Sequence, residues 1–292
     1  RRSMADDTGR GRSHRDDATV HDADYLGGRD LTAWPSRWGS ALADATVSAA
    51  VGIHRYFDRR SIPYVVLLVT VMLGVVVAWA LTALSAEIYD NVTDNDGVAG
   101  LDRPILDQMI AWRSPGLNDA VTAYTDLGST AVMPFVAVAA SGLLSWWWRS
   151  WTPALLMAIA AGGSLVMTVI GKQSIDRARP ARALAVAPFE TSPSFPSGHT
   201  LNTWVIVLLI AYLVCLRLRG WWTRVATSVT ALLLALVMAV SRVYLGHHWL
   251  TDVLVGITLG SAWLIVVVTG HRLGLTVRRR EQQVAAEADQ AA

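Results

Sequence analysis

Three charged segments stand out of an otherwise apolar chain: Lys172–Pro180 (KQSIDRARP), Pro196–His199 (PSGH) and Ser241–Asp252 (SRVYLGHHWLTD). The second and third are separated by residues 200–240, which are apolar except for a basic break at Arg217, Arg219 and Arg224. A run of that length returns to its starting membrane face only by crossing the bilayer twice, with the basic break as the turn. All three charged segments then meet at one face of a helical membrane bundle.

Runs of about 18 or more apolar residues mark membrane-crossing helices. Working outward, they are predicted at about 64–86, 130–148, 152–171, 200–218, 222–240 and 251–270. The expected fold is therefore all-α, a six-span transmembrane bundle with both termini on one side. Composition points the same way, because only 16% of residues are charged, against about 25% in soluble domains. A net charge of +2 gives no footprint for nucleic acid. The lone Cys215 excludes an internal disulfide and reads as a small residue of an apolar run.

Short loops rich in Lys and Arg stay cytoplasmic. Arg55, Arg59, Arg60, Arg149, Arg217, Arg219, Arg224, Arg272 and Arg278 to Arg280 all fall on one side of the six-span layout. Trp146 to Trp148, Trp151, Trp221 and Trp222 sit at the same loops, where indoles settle at headgroup level. Both termini are thus expected in the cytoplasm of a bacterial plasma-membrane protein, with the charged segments on the extracytoplasmic face. Lys172, Arg179 and Arg242 break the charge rule there, and cations kept on a translocated face point to use rather than topology.

Residues 1–60 are expected as a cytoplasmic N-terminal tail. Its first 30 residues or so are too polar to order themselves, and Leu31 to Asp58 carries an amphipathic pattern suited to a surface helix. No large apolar run precedes Tyr64, so a cleavable signal peptide is not expected. Residues 61–272 form the six-span domain and 273–292 a cytoplasmic C-terminal tail. Between the first two spans, Leu101, Ile105, Leu106, Met109 and Trp112, then Leu117, Val121, Tyr124 and Leu127, recur at helical spacing and predict short interfacial helices. The acidic run Asp90 to Gly97 fails as a calcium loop, since Val92 and Arg103 fall where ligands belong, and reads as a solvated loop. The Gly256 to Gly260 spacing fits close helix packing.

Read singly, each charged segment supports a bland and a chemical interpretation. Lys172 and Arg179 form either an anion site at a helix end or a snorkelling lysine beside a solvated arginine. Ser197 and Gly198 open a helix whose N–H groups favour an anion, with His199 available to move a proton, or they form a capped turn. His248 and Asp252, four apart, share a helix face, so the carboxylate orients the ring and leaves its other nitrogen for attack, or the two form a structural pair. His247 points elsewhere and reads as structural.

Taken together, the segments resemble the signatures of the type-2 phosphatidic acid phosphatase family. These are Lys172 with Arg179-Pro180, Pro196-Ser197-Gly198-His199, and Ser241-Arg242 with His248 and Asp252. The resemblance covers about residues 64–270. It implies phosphoryl transfer without a metal or other cofactor, with His248 as nucleophile, Asp252 holding it, and His199 as general acid. Lys172, Arg179, Ser197, Gly198 and Arg242 would bind the phosphate oxygens. The implied substrate is a lipid phosphate or polyprenyl diphosphate taken from the surrounding membrane lipids. Two alternatives remain at this point: a phosphotransferase using the same site, and a non-catalytic anion binder or transporter. The soluble vanadium haloperoxidases share the pocket but resemble the chain less.

Overall fold

The computed structural model describes residues 25–26, 29–53 and 97–291. The span expected at 64–86, the polar tail before Tyr25 and the acidic run from Asp90 lie outside the described residues.

Among the described residues there are eight α-helices: α1 (Arg37–Ile53), α2 (Asp102–Ala111), α3 (Pro115–Asp126), α4 (Val132–Trp148), α5 (Thr152–Ile175), α6 (Gly198–Cys215), α7 (Trp221–Tyr244) and α8 (Leu250–Ala291). The only strands described are β1 (Tyr25–Leu26) and β2 (Arg29–Asp30), which pair antiparallel over two residues each. Four helices, α5 to α8, are long and apolar enough to cross a membrane, whereas α4 has 17 residues. Five of the six expected ranges thus fall on observed helices, and the described residues reach four clear spans rather than six.

The core is organised around α6. Leu201, Val205, Leu209 and Leu213 recur every four residues and are fully buried, which places one face of α6 against its neighbours. They meet Leu156 and Ala160 of α5 and Leu259 and Trp263 of α8. Apolar side chains also cover the outside. Phe135, Val138 and Leu143 of α4 and Val229, Leu233 and Val237 of α7 are exposed, as befits helices solvated by hydrocarbon rather than water.

The Gly256 and Gly260 pair packs α8 tightly onto α6. A β-carbon at Gly256 would lie 3.2 Å from the Ser197 carbonyl oxygen, and one at Gly260 3.1 Å from Trp204. This close approach draws the first turn of α8 under the start of α6, where the charged segments converge. The short helices α2 and α3 pack over the same end; α3 starts at Ser114, whose hydroxyl accepts the Leu117 N–H at 3.4 Å, with Pro115 in its first turn.

At the other end the last helix runs past the expected domain limit at 272. Residue 273 is interior to α8, which runs on without a break. The segment before and through α1 packs on that extension, with Ala43 and Val47 against Leu273 and Val277. Trp34 lies under the Arg272 guanidinium at 4.4 Å and donates from its indole N–H to Thr276 at 3.2 Å. The amphipathic helix foreseen within Leu31 to Asp58 exists over Arg37–Ile53; Ala43 and Val47 on it pack against α8, while Trp38 and Leu42 remain exposed.

Candidate active site

The site forms where five pieces of chain end together: the last turn of α5, the loop 176–197, the start of α6, the end of α7, and the turn that leads into α8. His248 does not share a helix with Asp252. It lies in the turn preceding α8, while Asp252 is in the first turn of that helix. The four-residue spacing still brings them together, with His248 Nδ1 3.4 Å from Asp252 Oδ2.

Both side chains are almost completely buried, at 1% and 0% exposure. Asp252 is held from several directions. Arg177 donates to Oδ1 at 2.5 Å, the Ser194 hydroxyl donates to Oδ2 at 2.5 Å, and the Trp249 N–H donates to Oδ2 at 3.0 Å. On the far side of the ring, Arg179 Nη1 is 3.1 Å from His248 Nε2. A guanidinium only donates, so Nε2 is the acceptor and the ring proton sits on Nδ1, facing the carboxylate. Burial pushes the His248 pKa down to about 4, against the pull of Asp252, so the ring is neutral near pH 7.

The cations expected to bind phosphate converge as well. Lys172 donates to the Ser192 hydroxyl at 3.1 Å and to the Pro193 carbonyl. Arg179 donates to the Ser192 carbonyl at 2.7 Å and to the His247 carbonyl at 2.6 Å. Arg242, 1% exposed, donates to Thr125 at 2.9 Å. His199 and Gly198 face the same cavity as Lys172, Arg242 and His248.

Ser197 behaves differently from expectation. Its side chain is buried, its hydroxyl pairs with Thr200 at 3.0 Å, and its N–H donates to the Asp252 carbonyl at 3.2 Å. It therefore ties the start of α6 to the start of α8, and does not line the cavity. His247 donates through Nε2 to the Val186 carbonyl, 2.7 Å away. A carbonyl only accepts, so Nε2 carries the proton and the ring anchors the loop before α6.

Three further residues belong to the constellation. Arg177 bridges Asp252 and Asp102, the latter at 2.7 Å, and Asp102 also accepts from the Thr251 N–H at 2.9 Å. Ser194 supports Asp252 as described. Glu190 places its carboxylate on Arg179 at 2.7 Å and on Arg242, with His199 Nδ1 at 3.8 Å. Burial would raise the Glu190 pKa, but Arg242 and Arg179 outweigh it and hold the group down at about 2. Glu190 is the one acidic residue of the sequence between Asp176 and Asp252. That isolation beside several cations was the available signal; for Arg177 and Ser194 there was none beyond their position in charged or polar segments.

These groups close one end of a cavity of about 780 Å³. It continues between α4, α5 and α6 past Met133, Pro134, Ala137, Leu165, Val169 and Ile206. Leu165 and Val169 are also exposed on the outer, apolar face of α5. The site thus joins a polar, cationic head to an apolar trough, a shape that suits an amphiphile with an anionic head.

Known proteins resemble this chain in sequence and in fold. The model of the PAP2 superfamily matches residues 151–273. The chain is 32% identical over 186 residues to phosphatidylglycerophosphatase B of Bacillus subtilis (strain 168), covering 63% of this chain and 87% of that protein. It is 39% identical over 85 residues to the putative undecaprenyl-diphosphatase YbjG of Escherichia coli (strain K12), which is 27% of this chain and 38% of that one. Among solved structures it is similar to the transmembrane PAP2-type phosphatidylglycerolphosphate phosphatase from Bacillus subtilis, with TM-score 0.57 and 27% identity over 66% of this chain and 94% of the other. With its helices, its charged segments and its relatives in agreement, this chain belongs to the PAP2 superfamily, the type-2 phosphatidic acid phosphatases, as an integral membrane member.

Proposed function

We propose that the protein is a metal-independent phosphatase that hydrolyses a lipid phosphate or diphosphate at the extracytoplasmic face through a phosphohistidine. The observation that carries this reading is the polarity of His248: Nδ1 is backed by a buried carboxylate, and Nε2 carries the lone pair on the cationic side of the ring. In the first step Nε2 bonds to phosphorus as the P–O bond to the leaving group breaks, an ester bond in a lipid phosphate and an anhydride bond in a diphosphate, and His199 gives its proton to the departing oxygen. Asp252 stabilises the positive charge that develops on the ring. Lys172, Arg179, Arg242 and the Gly198 N–H hold the equatorial oxygens. In the second step water attacks phosphorus, the P–N bond breaks, and His199 takes the water's proton, so that inorganic phosphate leaves and His248 is regenerated.

The apolar trough supports a lipid substrate, and the relatives named for phosphatidylglycerophosphate and undecaprenyl diphosphate support those two lipids as the first candidates. The positive residues at the opposite end of the bundle support cytoplasmic termini and an extracytoplasmic site. A pure anion binder would need the cations but not a histidine polarised between a carboxylate and a guanidinium.

The test is phosphate release from a panel of lipid phosphates in detergent micelles containing a chelator. Release is expected without added metal, and is expected to fall by about a thousandfold or more in His248→Ala and His199→Ala, the scale of losing a member of a catalytic unit. Activity retained in His248→Ala would overturn the mechanism. Products formed only when an alcohol acceptor is supplied would replace hydrolysis by transfer.

A further inference from the structure

Glu190 has no role in the mechanism above, yet its carboxylate occupies the groups that mechanism needs. One oxygen takes Arg179 Nη2 at 2.7 Å, the other takes Arg242 Nη2, and His199 Nδ1 stands 3.8 Å away. Two guanidinium groups converging on two oxygens is the arrangement that recognises a carboxylate and a phosphate alike.

The neighbouring residues extend the occupation. Ser192 and Pro193 take the Lys172 ammonium, and the Ser192 carbonyl takes Arg179 Nε at 2.7 Å. A single short stretch, residues 190–193, thus satisfies three cations assigned to phosphate. The stretch is not locked in the core: Thr191 and Ser192 are exposed, and Phe189 to Thr191 form the wall between the main cavity and an outer cavity of about 140 Å³. That outer cavity offers a place for the carboxylate to withdraw, next to Arg182, which already lies 4.3 Å from the Phe189 ring.

We infer that Glu190 is a resident substrate mimic, holding the free enzyme in a self-inhibited form that a phosphate group must open by displacing the carboxylate from Arg179 and Arg242. This inference rests on the phosphate-binding role proposed for those arginines. A phosphate dianion and the Glu190 carboxylate repel each other and compete for the same donors, so they do not share the two guanidinium groups. The apparent affinity for phosphate is reduced by the fraction of molecules in which the carboxylate has already withdrawn.

The experiment compares the purified full chain with Glu190→Gln and Arg242→Ala, using inorganic phosphate as the probe in isothermal titration and as a product inhibitor. Glu190→Gln is expected to bind phosphate about tenfold or more tightly, with KM for the lipid falling in parallel, because the occupied fraction is released. Arg242→Ala is expected to weaken phosphate by about tenfold or more, the scale of one charged hydrogen-bond partner. If Arg242→Ala leaves phosphate binding intact, the phosphate site itself is misassigned. If Arg242→Ala weakens it but Glu190→Gln leaves it equal or weaker, Glu190 is a structural counter-charge and the inference fails alone. A measurement on the unaltered protein guards against misfolding of the variant: saturating phosphate is expected to speed cleavage after Glu190 by a glutamate-specific protease, as its carboxylate leaves Arg179 and Arg242, and slower cleavage there would overturn the displacement.

Discussion

Replacing Arg177 by methionine removes the single guanidinium that two buried carboxylates share. The side chain is 8% exposed and reaches Asp102 at 2.7 Å, Asp252 at 2.5 Å and Thr251 at 2.7 Å, with its charge 5.7 Å from the Trp249 ring. Asp102 and Asp252 are 7% and 0% exposed, so neither carboxylate has water to turn to. Breaking a buried pair from one side costs about 3–5 kcal/mol, because the orphaned charge keeps its burial. Ser194 and the Trp249 N–H still hold Asp252 Oδ2, and the Thr251 N–H still holds Asp102 Oδ1. These surviving bonds place the expected loss toward the lower end of that range. It remains a large part of a typical stability of about 5–15 kcal/mol. Activity should fall too, by about a hundredfold, as Asp252 loses one of the contacts that aim His248. The assay is denaturant unfolding in detergent beside phosphate release. Adding Asp102→Asn to Arg177→Met should recover part of the stability, since it neutralises one of the stranded carboxylates. Stability of Arg177→Met within about 0.5 kcal/mol of the parent, the scale of a surface substitution, would refute the reasoning.

Three other outcomes are expected. His247→Ala should reduce turnover far less than His248→Ala, by about tenfold or less on the scale of lost loop ordering, because its ring serves the Val186 carbonyl; equal losses in a phosphate-release assay would exchange the roles of the two histidines. Stability should decline as pH falls: the unfolded chain takes up a proton at His248 near 6.5 that the native site refuses until about 4, and Glu190 adds a second such window from 4.5 down to about 2. Unfolding midpoints measured from pH 8 to 4 should show this slope, and His248→Asn should flatten it; an unaltered slope contradicts the assignment. Gly163→Ala would set a β-carbon 2.1 Å from the buried Trp263 ring, whereas Gly162→Ala meets nothing within 4 Å. The first should cost about 1–3 kcal/mol by overpacking and the second almost nothing, and a denaturation series on both checks the α5–α8 contact.

Much of the fold was legible because the signals that build it are local. A helix that must cross hydrocarbon announces itself through an unbroken apolar run, and α5 to α8 fall where such runs lie. The helical spacing between Leu101 and Leu127 likewise became α2 and α3. The helical continuation past 272 was not legible for the complementary reason: polar composition after Leu273 gives no sign that α8 continues, because what packs on that stretch is Trp34, Ala43 and Val47 from the far end of the chain.

The site divides along the same line. By itself the sequence determined which side chains could do chemistry and that they share one end of the bundle, since Lys172, Arg179, His199, Arg242, His248 and Asp252 all flank apolar runs that reverse direction across the bilayer. It also determined the His248–Asp252 pairing, because four residues span about one turn whether or not the first of them is helical. Only the tertiary structure decided what those groups touch. Ser197 turned from the cavity because Gly256 lets α8 come close enough to take its N–H. Asp252 found Arg177 and Ser194, and Arg242 found Glu190, across sequence separations of 75, 58 and 52 residues. Charge partners are chosen by where a loop comes to rest, and for residues 176–197 that depends on the packing of α5, α6 and α8 together. Local periodicity carries no record of it.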